Sequence, residues 1–181
     1  SNSSIWAASV YSNEASTTHG TSAIHHIGYN SSRGYARTFL RFSLNALSDI
    51  RYDNITSACY RFTCPSSNTN TAVMEAYPLN EYWEEDSVTW NEQPSYAGNQ
   101  LISKVNINTS VNGYTNDLYI TSAVQGWRQG MLNYGLLLKE KDDTVSSPWE
   151  AFYSDDSVPS PPSIVITYVD ESAPTQAPGV K

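Results

Sequence analysis

Period-two alternation of apolar and polar residues runs through most of this chain, and helical periodicity is nearly absent, so the fold has to be built from half-buried strands. In 38–44, Leu40, Phe42 and Leu44 share one face while Phe39, Arg41 and Ser43 share the other. Ala58, Tyr60 and Phe62 alternate with Cys59, Arg61 and Thr63. Leu101, Ser103, Val105 and Ile107 alternate with Ile102, Lys104 and Asn106, and Ile164, Ile166 and Tyr168 alternate with Val165 and Thr167. Weaker strands are predicted at 6–11, 23–29, 72–77, 134–139 and 151–154. Short strands separated by Gly, Asn, Ser and Pro clusters indicate an all-β sandwich of jelly-roll type. One short helix interrupts them: Thr121 is predicted to cap a segment with Ala123, Val124 and Trp127 at helical spacing, which Gly130 closes. It is expected to lie across an open end of the sandwich with Trp127 as its anchor. Residues 1–169 read as one module, and the Pro-rich stretch 170–181 as a linker to a further module.

Charge removes several function classes. The formal net charge is -8, from 10 Lys+Arg against 18 Asp+Glu, and no basic run occurs, which argues against nucleic acid or anionic lipid as partner. No stretch approaches the ~20 apolar residues that span a bilayer, so membrane insertion is not expected. The 13 Tyr and 5 Trp, on a surface otherwise rich in Ser, Thr and Asn, suit a secreted or cell-surface protein that contacts sugars or peptides with amphipathic rings. The chain is expected to be a monomer. Cys59 and Cys64, five positions apart, point to opposite faces of a continuous strand and stay as buried thiols; a turn at Pro65 would instead leave room for a strained local disulfide.

A longer motif narrows this reading. Trp83-Glu84-Glu85-Asp86-Ser87-Val88-Thr89-Trp90-Asn91, followed by Pro94, resembles the hallmark of the DNRLRE domain family, which includes disaggregatase-related repeats and modules similar to the family 96 carbohydrate-binding modules. The segment Arg37-Thr38-Phe39-Leu40-Arg41-Phe42-Ser43-Leu44 resembles another strand of that family. So do Ile120-Thr121 to Trp127, Gly135-Leu136-Leu137-Leu138, and the closing Pro162-Ser163-Ile164-Val165-Ile166-Thr167-Tyr168. The resemblance covers roughly residues 8–169 and implies a non-catalytic carbohydrate-binding sandwich. On this reading Trp83 and Trp90, seven apart across a turn, close an edge of the sandwich. Glu85 accepts backbone N–H groups of that turn, and Thr89 supports the strand that follows. Phe42, Tyr60, Trp83, Trp90, Trp127 and Tyr168 are expected in the core.

Catalysis has no foothold. Glycoside hydrolysis needs two carboxyls facing each other ~5–9 Å apart across a cleft, whereas Glu84, Glu85 and Asp86 are consecutive on a turn. His25 and His26 are strand neighbours on opposite faces and cannot chelate one metal together. A structural Ca²⁺ is the one cofactor worth testing. Asp142, Asp143, Asp155 and Asp156 lie in neighbouring loops and would converge with a carbonyl near Glu14; the alternative is a set of solvated acidic loops. Sugar binding requires exposed flat rings beside hydrogen-bonding groups. Of the rings outside the family pattern (Trp6, Tyr29, Tyr35, Tyr114 and Trp149), the candidates are Trp149 behind Pro148, Trp6, and Tyr29 with Tyr35 flanking a polar hairpin that contains Arg33. The expected partner is a polysaccharide or glycan. The competing readings are a structural or adhesive spacer in a surface protein, favoured if Trp149, Tyr29 and Tyr35 are all buried, and recognition of a protein partner.

Overall fold

A computed structural model describes residues 5–65, 71–109, 112–157 and 159–170. The linker predicted at 170–181 therefore lies, but for Asp170, outside the described residues. The described residues form ten strands and one α-helix: β1 (Ile5–Tyr11), β2 (Ile24–Asn30), β3 (Gly34–Phe42), β4 (Ile55–Thr63), β5 (Val73–Pro78), β6 (Ser103–Asn106), β7 (Thr115–Tyr119), α1 (Thr121–Arg128), β8 (Leu136–Glu140), β9 (Glu150–Tyr153) and β10 (Ser163–Tyr168). They make two antiparallel sheets, one of seven strands in the order β6-β5-β8-β3-β2-β9 with β1 on β3, the other in the order β10-β4-β7. The all-β sandwich is as the alternation predicts. β3 is the hinge of the larger sheet. Its residues Gly34–Ala36 pair with β2, Thr38–Leu40 pair with β8, and β1 follows it from Ala36 to Phe42. The sheet curls because β2 leaves β3 to pair with β9.

Both faces of the larger sheet are covered. The inner register carries Ala7 opposite Leu40 and Leu40 opposite Leu136; these pack with Tyr60, Phe62, Leu118 and Phe152 between the sheets. One residue along, Ala8 faces Phe39 and Phe39 faces Leu137, and this outer face packs against Leu79, Trp83 and Val88. A strand whose two faces are both buried must read as apolar in both registers, which explains why Phe39 and Leu40 are neighbours.

The hallmark indoles thus cover a sheet face rather than close an edge, while Glu85 caps the free edge of β1. Residues 79–98 lie over the outer face, with Trp83 5% exposed, its Nε1 donating to the Tyr134 carbonyl at 3.0 Å and its ring 5.8 Å from Phe39. Glu85 does not serve its own turn: it accepts the Ala7 N–H of β1 at 2.8 Å, a donor that points away from β3. Thr89 Oγ1 accepts the Glu92 N–H at 3.2 Å, bracing the bend that follows. Trp90 is only half-buried at the margin of this layer, because the chain turns away there and Asn91 N–H bonds the Ala15 carbonyl.

Other expectations shift for local reasons. Thr121 opens α1 but Ile120 occupies the capping position; the Thr121 hydroxyl instead accepts the Ala58 N–H of β4 at 3.0 Å. Gly130, at φ 110, ends the helix as predicted, and Trp127 meets Phe42 edge-on at 5.5 Å. Tyr168 is 43% exposed rather than core: it is paired with the buried Ile55, but it ends the edge strand β10 beyond Ile164 and Ile166, the last residues of that strand to pack on the core. Cys59 and Cys64 are buried, unbonded thiols. Strand β7 escapes the sequence pattern because its inward positions are Asn116 and Leu118. The buried Asn116 amide accepts from Asn108 N–H at 2.7 Å and donates to the Asn108 carbonyl at 3.1 Å.

Candidate functional site

The outer face of β1 and β3 carries, in successive pairs, Val10 with Arg37, Ala8 with Phe39, and Trp6 with Arg41. The apolar centre lies under residues 79–98; at each end of the strands the cover stops and rings meet arginines.

At one end lies a cleft of about 340 Å³ lined by Trp6, Arg41, Trp127, Arg128, Asn133 and the 42–45 turn. The Arg41 guanidinium sits between the Trp6 ring (4.6 Å) and the Tyr82 ring (4.7 Å), the latter 53% exposed. Arg128 is brought in by the last turn of α1 and anchored by donating to the Ser48 and Ile50 carbonyls, both at 3.0 Å; Asn133 donates to the Phe42 carbonyl at 2.9 Å. These bonds leave three buried polar atoms, Arg41 Nε, Arg128 Nε and Asn133 Oδ1, without a hydrogen-bond partner. Leaving such an atom unpaired costs about 1–3 kcal/mol. Among the described residues no carboxylate lines the cleft. The Tyr82 hydroxyl lies between Arg41 and Glu84, and its bond to Glu84 raises the phenol above its ordinary range.

At the other end, the β2–β3 hairpin sets Tyr29 opposite Tyr35, ring centroids 5.1 Å apart, and Tyr35 stacks at 6.3 Å and 20° on Trp90. Arg37 lies 5.0 Å from the Trp90 centroid and is held by Asp143 at 2.6 Å and Gln93 at 3.2 Å.

The remaining candidates, Trp149 and Arg33, pack around Tyr11 and His26 while staying half-buried. Trp149 is half-buried, stacked at 4.5 Å on His26, which meets the Tyr11 hydroxyl at 2.8 Å. Arg33 covers the Tyr11 ring at 3.7 Å and is clamped by both Glu14 oxygens, at 2.7 and 3.0 Å. Glu14 also contacts His19 at 2.8 Å, and its pKa is held low chiefly by the bond from Arg33. Burial, with Arg33 and His19 nearby, pushes His26 down to about 4, so the ring is neutral. The structure therefore separates the sequence-predicted rings into three groups, Trp6, Tyr29 with Tyr35, and Trp149 with Arg33.

The acids considered for calcium have different neighbours. Asp143 is paired with Arg37, and Asp142 is exposed, 3.9 Å from Lys141. Asp155 and Asp156 act instead on Glu85, whose pKa burial raises to about 7 with those charges adding to it. Among the described residues no group of three or more His, Cys, Asp or Glu is placed to hold a metal ion.

The family model of carbohydrate-binding module family 96 matches residues 5–168. The chain belongs to that family. No curated protein gives a significant match. As a family 96 member the protein is a carbohydrate-binding module. No helix among the described residues is long and apolar enough to cross a membrane. Sequence reasoning found Trp6 in this family 96 module but not its neighbours, because Arg41, Tyr82, Arg128 and Asn133 come from separate segments. The available signal was the face that Trp6 and Arg41 share.

Proposed function

We propose that this family 96 module holds an acidic polysaccharide in the cleft between Trp6 and Trp127, as a non-catalytic tether of a secreted or cell-surface protein. The observation that carries this reading is the lining: two indoles, two guanidinium groups, three unpartnered polar atoms and no carboxylate. An indole packs against the C–H face of a pyranose. A guanidinium donates in a fork that matches a sugar carboxylate or sulfate. Asn133 Oδ1 is an acceptor for a hydroxyl, so a bound sugar supplies partners that the fold leaves out. The chain's overall charge of -8 does not oppose this at close range. At physiological ionic strength the Debye length is about 8 Å, so distant carboxylates are screened while groups in contact are not.

Burial of Trp149, Tyr29 and Tyr35 would favour the spacer alternative, and all three are only half-buried. Affinity electrophoresis against polyuronate, sulfated and uncharged polymers tests the proposal. Retardation by a polyuronate or sulfated polymer that weakens with added salt is expected. A folded sample that neither kind retards would overturn the reading.

A further inference from the structure

We propose that Tyr29, Tyr35 and Trp90 form a second platform, for uncharged pyranose faces, independent of the cleft. The inference goes beyond the proposed acidic-sugar site and stands on different residues.

The platform is rigid before any ligand arrives. Asn30 Oδ1 accepts the Ser32 and Arg33 N–H groups at 3.0 and 2.8 Å, and the Tyr35 N–H donates to Ser12 Oγ at 2.9 Å. Gly34 between them sits at φ +76, and a Cβ there would crowd the Ser12 and Asn13 side chains, so any other residue strains the hairpin at this point. On the other side Gln93 donates to the Trp90 carbonyl at 2.8 Å. Three rings on this pinned backbone, packed against one another and only half-buried, present stacking area at a smaller entropy cost than loose side chains would.

The electrostatics differ from those of the cleft. The only cation beside these rings in the contacts described, Arg37, is neutralised by Asp143 and shared with Gln93, so an acidic sugar finds no free counter-charge. What remains is an acceptor. Asp143 Oδ1 is buried with no hydrogen-bond partner, in a residue held at φ 46, the one non-glycine residue of positive φ among those described. Glu140 holds it there by accepting the Asp142 and Asp143 N–H groups at 2.6 and 3.3 Å. An unpartnered carboxylate oxygen on the residue that pairs with Arg37 offers an acceptor to hydroxyl donors, which uncharged sugars carry. Tyr35 and Arg41 are six residues apart on β3, about 20 Å at strand rise, with residues 79–98 covering the face between them. Two sites so placed let one module hold two chains, or one chain twice with a gain in avidity.

The test compares wild type, Tyr29→Ala/Tyr35→Ala and Arg41→Ala on gels containing galactomannan, hydroxyethylcellulose or a polyuronate. The tyrosine variant is expected to lose at least tenfold in affinity for an uncharged polymer and to hold the polyuronate within twofold of wild type; Arg41→Ala does the reverse. A wild type retarded by polyuronate and by no uncharged polymer overturns the platform and leaves the cleft standing. Retardation by uncharged polymers alone overturns the acidic preference of the cleft and supports the platform. Saturation-transfer NMR on the unmutated protein makes the test independent of variant folding. A bound uncharged oligosaccharide whose signal persists under excess oligouronate supports two sites, and its displacement overturns them.

Discussion

The two apolar layers on either side of the larger sheet are built for different ends. Between the sheets, Leu40, Tyr60, Phe62, Leu118 and Phe152 are fully or nearly fully buried; the Asn116 amide there is satisfied, and His25, paired with Phe152, keeps an unpartnered Nε2 sealed from solvent. Over the outer face only the centre is like that: Phe39, Trp83, Val88 and Leu137 are buried, but the margins run out into half-exposed rings, arginines and unpartnered polar atoms. A closed layer gives stability. A layer that stops short of its edges gives stability at its centre and leaves ligand chemistry at its margins.

The comparison breaks first if the centre of the outer layer is dispensable. Trp83→Ala removes a buried indole and its bond to the Tyr134 carbonyl, and is expected to cost about 3–5 kcal/mol in a denaturant melt. Leu40→Ala in the inner layer belongs in the 2–5 kcal/mol class, so a much smaller loss for Trp83 would show the outer layer to be mere cover. At the margin, Arg41→Ala should move the thermal midpoint little and weaken polyuronate binding roughly tenfold to a hundredfold, the range expected for a charge-assisted hydrogen bond.

Glu85 sharpens the comparison through pH. Its folded pKa of about 7 lies above the ordinary 4.5, so between these values the native state holds a proton that the unfolded chain has released. Stability from this group is present below about 4.5 and is lost as pH rises through 7. Glu85→Gln keeps an acceptor for the Ala7 N–H without the charge. It should melt higher than wild type at pH 8 by a few degrees and the same as wild type at pH 4. Its partial exposure keeps the effect below that of a buried carboxyl. The smallest effect belongs to Tyr168→Ser, which should stay within about 0.5 kcal/mol because the ring stands half-exposed at the end of an edge strand, outside the core cluster.

Much of the fold was legible because burial on both faces leaves a double alternation, as in Phe39 and Leu40. Strand β7 was not, since Asn116 takes an inward position that the pattern reserves for apolar residues. Tyr168 was misplaced because alternation does not show where the end of an edge strand runs past the core, and Thr121 because its hydroxyl found a strand partner instead of the helix end. The hallmark was recognised but its geometry was not: two indoles seven apart say that a turn is packed, not which face it packs on. Candidate site residues were legible where one hairpin holds them, as with Tyr29 and Tyr35. The cleft gathers Trp6, Arg41, Arg128 and Asn133 from β1, β3, α1 and the loop before β8, and nothing in linear spacing brings those together.

The central claim is that the margins of the outer layer bind sugar while its centre holds the fold. Calorimetric titration of an oligouronate into wild type, Arg41→Ala and Trp83→Phe, with melting curves on the same samples, tests it most directly. The account predicts that Arg41→Ala loses affinity at an unchanged melting temperature, and that Trp83→Phe loses melting temperature at an affinity close to wild type. An Arg41→Ala protein that binds as wild type does, or one that loses affinity only because it melts, would contradict it.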